Sequence, residues 1–491
     1  MKVFFVLFFL ILNSFSSAAQ KNITKSIKDF GAKGDGHSDD QDAFVKASIF
    51  FNERKGNGKL VIPKGIYIVG RQTFSGNGQK NISIAYLGDN VLDLKECQNL
   101  TIEANPGAVL KHRDSLRIGT FSPATGEAFK HNIKNIQEKP EYLKYVSNAG
   151  NMIFIFNCSN IRITGLKLNG NTPGFKFGGN WGSGHNAYEL IHYGINIKDS
   201  RDVTIINCSI ENFACDGIYI TNTGQELKTC KISIDKCKVN YCGRNGLSWL
   251  GGKNISVTNA EFSNMGQGVV QESPSAGIDI EVENNSFCRN GYFYNCKMEN
   301  NVGSGIASGS KELSSDVLFK KCIAASPVYY SVFVDAASHR FEDCSFYGTV
   351  LVWYNATNKN DAVQFRRCFF DENYKGKTMY DGTYQLGAEA SGVTIDSCTF
   401  KAYTTSSYYL AGHAKDCDPN NIQMNHVSNS SFYNYCRSGF KLSEKTAGAA
   451  GHTIFYNNRF YSHPNIIFRN GFDGKCNADG GKNQFFQVAG H

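Results

Sequence analysis

Residues 202–220 read DVTIINCSIENFACDGIYI, and the same frame returns at 231–249 as KISIDKCKVNYCGRNGLSW. A looser copy, VLFKKCIAASPVYYSVFV, occupies 317–334. Each copy holds a short β-rich stretch, a turn marked by asparagine or cysteine, and a second β-rich stretch. A glycine then introduces a third, and this mark recurs at Gly194, Gly217, Gly246, Gly277 and Gly305. The intervals of 23, 29, 31 and 28 residues fit one turn of a solenoid with loops of variable length. Within a copy the strands alternate: after Gly217, Ile218 and Ile220 point inward and Tyr219 outward. Asparagine and glycine suit the turns because both tolerate left-handed backbone. Further copies run through 393–400, 425–432 and 453–460 with no linker between them, so residues 20–491 read as one domain.

The cysteines follow the same frame. The chain holds 16, and Cys208, Cys237, Cys296, Cys322, Cys344, Cys368 and Cys398 each stand at the same place in a repeat. One cysteine per turn makes an interior column, in which the thiol acts as a small apolar group. Disulfides are the first thought for an exported chain, but this placement favours packing. Metal spacing of the C-x-x-C kind is missing, and no metal site is expected. A β-sandwich is the competing all-β fold, but it would not repeat one cysteine frame seven times.

The N-terminus departs from the repeat. DFGAKGDG (29–36) leads to Ser38, Asp39 and Asp40 and then AFVKASIFFNERKG, followed by LVIPKGIYIV (60–69). Ser38 suits a helix N-cap, with Asp39 and Asp40 in the first turn opposite the helix dipole. Phe44, Ile49 and Phe50 would then cover the open end of the solenoid. The Asp35, Asp39, Asp40 and Asp42 cluster is explained by capping more simply than by calcium. This segment, residues 27–70, resembles the N-terminal signature of the pectate-lyase-like right-handed parallel β-helix superfamily. That superfamily includes polygalacturonases, other glycoside hydrolases, polysaccharide lyases, alginate epimerases and phage tailspikes. The resemblance implies an all-β, single-stranded right-handed parallel β-helix with an N-terminal capping helix. It also implies a substrate groove on one outer sheet, flanked by long loops.

Lys2, the apolar run 3–12 (VFFVLFFLIL) and the small residues Ser17, Ala18 and Ala19 read as a secretory signal peptide over 1–19. The run is too short to span a membrane, and no second apolar run of that kind follows. The chain is therefore expected to be secreted or periplasmic. Its net charge of +8 is spread along the chain, compatible with an acidic glycan partner or with scattered solubilising lysines. No nucleic-acid motif or phosphate-cradling loop is present. Oligomeric state is not legible.

Three long interruptions, 113–151, 171–193 and 267–276, place the groove at the early and middle coils. In the strand 276–281, Ile278 and Ile280 face the core, so Asp279 and Glu281 face out together. Residues two apart on a strand lie roughly 6.5–7 Å apart. That separation suits an inverting glycosidase, which places two carboxylates about 6.5–9.5 Å apart around an attacking water. The bland alternative is a pair of acids solvating an exposed face. Glu272 just before the strand and Arg244 on the preceding turn favour the catalytic one. Asp216, in Cys215-Asp216-Gly217-Ile218, resembles the first aspartate motif of polygalacturonases, and is either a third catalytic acid or a turn cap. The other polygalacturonase motifs (paired aspartates, Gly-His-Gly, Arg-Ile-Lys) and the epimerase DPH pattern are absent, which puts galacturonan in doubt. The loop 172–194 offers Trp181, His185, His192 and Tyr193 for stacking or hydrogen bonding to sugar, with Tyr219 outward beside it; Tyr188 and the inward Trp249 read as packing.

Three classes follow. A glycoside hydrolase acting on polysaccharide, with Asp279 and Glu281 as acid and base, is favoured and needs no cofactor. A lyase would need a base and a cation, or calcium, beside a uronate; Arg244 and His192 are its candidates. A non-catalytic glycan-binding solenoid would need neither acid.

Overall fold

The structure, a computed structural model, describes residues 23–77, 83–130, 140–181, 189–379, 386–388, 390–403, 408–410, 425–435, 453–462 and 482–487. The signal-peptide expectation falls outside these residues. Three long parallel sheets of 14, 11 and 15 strands wrap one interior. Successive strands visit them in turn. Ile218–Thr221 lies in the 11-stranded sheet, Cys230–Asp235 in the 14-stranded sheet and Lys238–Asn240 in the 15-stranded sheet, and Leu247–Trp249 returns to the first. Every coil thus stacks its strands on those of the coil before, in register: Ile218 on Leu247, then Ile278, then Ile306. This is a right-handed parallel β-helix, as the repeat and the N-terminal resemblance implied. No helix among the described residues is long and apolar enough to cross a membrane.

The repeat marks have separable physical reasons. The residue before each framed cysteine (Asn207, Lys236, Asn295, Lys321, Asp343, Arg367, Ser397) has φ between 52° and 57°. The left-handed turn is therefore fixed by position, and asparagine is its easiest occupant. All seven cysteines are buried and free, and each thiol donates to the carbonyl two residues back, as Cys237 Sγ does to Asp235 O at 3.4 Å. The five glycines are different: none has positive φ. A Cβ on Gly217 would lie 2.1 Å from Val239 Cγ1, and one on Gly246 would lie 2.7 Å from the Gly277 carbonyl. Close approach, not left-handed backbone, excludes a side chain there. Sequence reading also missed the stacks of phenylalanine, such as Phe293–Phe319–Phe341–Phe365 with centroids 4.5, 5.1 and 4.9 Å apart.

The N-terminal helix runs Gln41–Glu53, later than expected, and two expectations fall with it. Ser38 is not the cap. It sits in the strand Asp35–Asp39 and donates its hydroxyl to Asp35 at 2.7 Å. Asp40 is the N-cap by position, but its carboxylate is taken by the Lys33 and Gly34 amides at 2.6 and 3.0 Å. With the helix starting at 41, its 3.6-residue period aims Phe44, Ala47 and Phe51 at the core and turns Ile49 out, 51% exposed. Phe50 packs only in part. The acidic cluster disperses into ion pairs, Asp42 with Arg71 and Asp39 with Arg113.

Candidate active site

The outer face of the 11-stranded sheet carries the candidate chemistry. Its strands register Asn196, Tyr219, Ser248, Asp279, Ala307 and Phe333 side by side in successive coils. Ile218, Ile220, Leu247, Trp249, Ile278 and Ile280 are all wholly buried on the other face, so the alternation holds and Trp249 is core. Asp279 stands on the outer face yet is only 7% exposed, because the neighbouring turns close over it. Glu281, two residues on, is exposed.

One asparagine organises the buried part. Asn245 Nδ2 donates to Ser248 Oγ and to Asp279 Oδ2, both at 3.0 Å. Its backbone N–H donates to Asp216 Oδ1 at 2.9 Å, and its Oδ1 accepts from the Ala276 N–H at 2.9 Å. Ser248 passes its hydroxyl proton toward Asp216 Oδ2 at 3.0 Å. Arg244 closes the set with a fork on Asp216, Nε to Oδ1 at 2.9 Å and Nη2 to Oδ2 at 2.7 Å, and its Nη1 binds Glu189. Asp216 is thus fully buried and accepts four hydrogen bonds from nitrogen and oxygen donors, with the Cys215 thiol a fifth donor at 3.8 Å.

Burial sorts these acids by whether a cation meets them. Asp279 touches none, and burial, with Glu281 nearby, pushes its carboxyl up to about 7. Glu272 is also buried; burial pushes it up to about 8, and its carboxylate accepts from the Leu190 N–H at 3.2 Å. Burial opposes the charge of Arg244, but the Asp216 carboxylate beside it outweighs that and holds the guanidinium protonated. Glu283 is exposed to solvent, accepts from the Tyr219 hydroxyl at 3.3 Å, and is raised by partial desolvation there.

Asp216, Arg244, Glu272, Asp279 and Tyr219 therefore converge, with Glu281 at the open edge. Tyr193 is buried and stacks under Tyr219, centroids 4.6 Å apart, so it backs that ring. His192 does not reach the groove. It is wholly buried against Phe213 and Phe175, accepts the Ala214 N–H at Nδ1 (3.1 Å), and meets His112 at 2.7 Å. Its Nε2 must then carry the proton given to His112 Nδ1, and burial holds both rings neutral. Alternation had no means of seeing that the loop folds this histidine inward. Trp181 lies against Phe177 at 4.6 Å, beside an apolar cluster that includes Leu190. His185 and Tyr188 lie outside the described residues.

Sequence reading missed Asn245, Ser248, Glu189 and Glu283. The first two had a signal: Asn245 precedes Gly246 as Asp216 precedes Gly217, and Ser248 is the outward position matching Asp279. Glu189 and Glu283 come from loops and had none. Among the described residues no group of histidine, cysteine or carboxylate side chains is arranged to hold a metal ion.

The family described as the right-handed β-helix region matches residues 130–287 and 193–370. No curated protein matches the chain. Among solved structures, the mannuronan C-5 epimerase A-module of Azotobacter vinelandii is similar at 13% identity and a TM-score of 0.44, over 95% of this chain and 99% of that one. A surface adhesin of Streptococcus pneumoniae is similar at 14% and 0.43, over 89% and 90%. The catalytic unit of an α-1,3-glucanase from Streptomyces thermodiastaticus follows at 12% and 0.37, over 97% and 70%. At such identities the likeness is one of fold. The match over the central coils and the three registered sheets agree that this chain has the right-handed parallel β-helix fold.

Proposed function

We propose that the protein is an exported enzyme that hydrolyses glycosidic bonds of a polysaccharide, with Asp279 as general acid and Glu281 as the base that activates water. The observation carrying this reading is the unlike surroundings of two neighbouring carboxylates, Asp279 within the strand Ile278–Ile280 and Glu281 just past its end, where the sequence suggests one strand through 281. Asp279 is enclosed and keeps its proton up to about pH 7, whereas Glu281 is open to solvent. An enclosed carboxyl that keeps its proton suits the acid, and a solvent-open one suits the base. Two residues of extended chain span roughly 6.5–7 Å, a separation with room for a water between two carboxyls, as inversion requires. Asp216 is then a positioning residue rather than a third catalytic acid, since its lone pairs are spent on Arg244, Asn245 and Ser248. It acts on Asp279 through the Asn245 amide. The lyase alternative needs a cation free for a uronate, and Arg244 is already paired with two carboxylates.

The test is turnover of polysaccharides by wild type, Asp279→Asn and Glu281→Gln, followed by reducing ends and by ultraviolet absorbance of unsaturated uronyl ends. Hydrolysis gives reducing ends without that absorbance, and each variant loses at least about 100-fold in rate. Variants that keep wild-type rates would remove the acid pair from the mechanism. Absorbance would make the enzyme a lyase, and silence of the wild type on all glycans would leave a binding solenoid.

A further inference from the structure

The face that carries the acid pair continues toward the C-terminal coils and changes character. In the row of Asp279 the next residues are Ala307, Phe333 and Leu351. One row across, beyond Glu281, lie Asp335 and Trp353; the Trp353 N–H donates to the Val334 carbonyl at 2.8 Å, which fixes its place. Coils stack about 4.8 Å apart, so Phe333 is roughly 10 Å from Asp279 and Trp353 roughly 14 Å from Glu281.

Trp353 is 47% exposed, an unusual cost for so large an apolar ring. It is nonetheless held: Phe333 meets it edge to face at 5.2 Å and 80°, and Tyr330 lies 6.2 Å beyond Phe333. Trp353 borders a cavity of about 470 Å³ whose other walls are Tyr354, Asn355, Lys311, Glu312 and Asp335. A fixed, half-open indole over a cavity rimmed by hydrogen-bonding groups fits the alternating C–H and hydroxyl faces of a pyranose. Continuity supplies the occupant. An extended chain of pyranose rings advances by about one ring per coil spacing, so a glycan lying along the helix axis meets one coil per sugar.

Charge narrows the class of that glycan. From the open edge of the acid pair to the Trp353 cavity the charged groups are Glu281, Asp335 and Glu312, with Lys311 opposing them. Arg244 adds no free positive charge, being paired with Asp216 and Glu189. A polyuronate would meet like charge over most of this length.

We propose that the Trp353 cavity is a sugar-binding subsite of the same groove, and that the substrate is a neutral glycan running along the helix axis from Asp279 and Glu281 to Trp353. This rests on the hydrolytic reading of the acid pair. The test titrates full-length wild type, Trp353→Ala and Trp353→Phe with trisaccharides and hexasaccharides of cellulose, laminarin, mannan and xylan, and with oligogalacturonate and oligomannuronate. A neutral hexasaccharide should bind best, and Trp353→Ala should lower its hexasaccharide-to-trisaccharide affinity ratio about tenfold, about 1.4 kcal/mol. Trp353→Phe should restore most of that ratio. An unchanged ratio in Trp353→Ala, preference for a uronate series, or no binding by wild type each overturns the proposal. Asp279→Asn separates the two ideas: lost turnover with an unchanged Trp353→Ala ratio removes the subsite alone, and retained turnover with a lowered ratio removes the acid pair alone.

Discussion

Asp216 and Asp279 share Asn245 as a hydrogen-bond partner, yet only Asp216 meets a guanidinium. The difference predicts how each responds to pH and to mutation. Asp279, raised to about 7, is the proton donor only while it holds its proton, so kcat/KM should fall as pH rises through about 7. A pH–rate profile flat to pH 9 would exclude Asp279 as the acid. For the ion pair, removing one partner leaves a buried uncompensated charge: Arg244→Met should cost about 3–5 kcal/mol in denaturant unfolding. Adding Asp216→Asn should recover a large part of that loss, because the stranded charge goes with it. Strict additivity of the two changes would show that the pair is not coupled. At this scale the site was half legible. Strand alternation gave Asp279 and Glu281, and the resemblance of Cys215-Asp216-Gly217-Ile218 to a polygalacturonase motif gave Asp216. The loop carboxylates Glu189 and Glu283 meet the cluster only after folding, and the inward turn of His192 is set by Phe175 and Phe213, residues 17 and 21 positions away in sequence.

At the level of the repeat, the turn before each framed cysteine is left-handed whatever residue fills it. Lys236 occupies that place with φ 52°, between Asn207 in the coil before and Asn259 in the coil after. Asn259 accepts at its Oδ1 from Asn295 Nδ2 at 2.9 Å and donates its own Nδ2 to Asp235 at 2.9 Å. Lys236→Asn should stabilise by about 0.5–1 kcal/mol, through easier left-handed backbone. Thermal unfolding midpoints of the two proteins measure it, and a lower midpoint would mean that the lysine contributes more than its backbone costs. The same comparison shows why coils were readable and the N-terminus was less so. A coil repeats its marks, so position 236 can be interpreted from 207 and 259. The helix occurs once, and nothing in its own residues revealed that Asp40 would be drawn off to the Lys33 and Gly34 amides.

For the whole molecule, two sets of buried groups pull stability in opposite directions with pH. Glu272 and Asp279 have folded values raised by burial to about 8 and about 7, so the stability they contribute is complete below their unfolded values near 4 and is lost as pH rises through the folded ones. His112 and His192 have values depressed by burial, His112 to about 3, so theirs is complete above roughly 6.5 and is lost as pH falls. Between about pH 4 and 6.5 the unfolded chain binds more protons at the histidines, His339 with its folded value of about 4 among them, and the folded chain holds more at the carboxyls, so the two slopes oppose. Below that window only the histidine slope remains, and above it only the carboxyl slope. Stability should therefore form a broad maximum with a fall on each side, measurable as unfolding midpoint against pH. Glu272→Gln should shallow the alkaline fall and leave the acid one, because it removes the higher carboxyl without touching the histidines. An alkaline limb of unchanged steepness in that variant would mean that Glu272 is not held protonated beneath the loop, and that the enclosure drawn over Asp279 is looser than its neighbours imply.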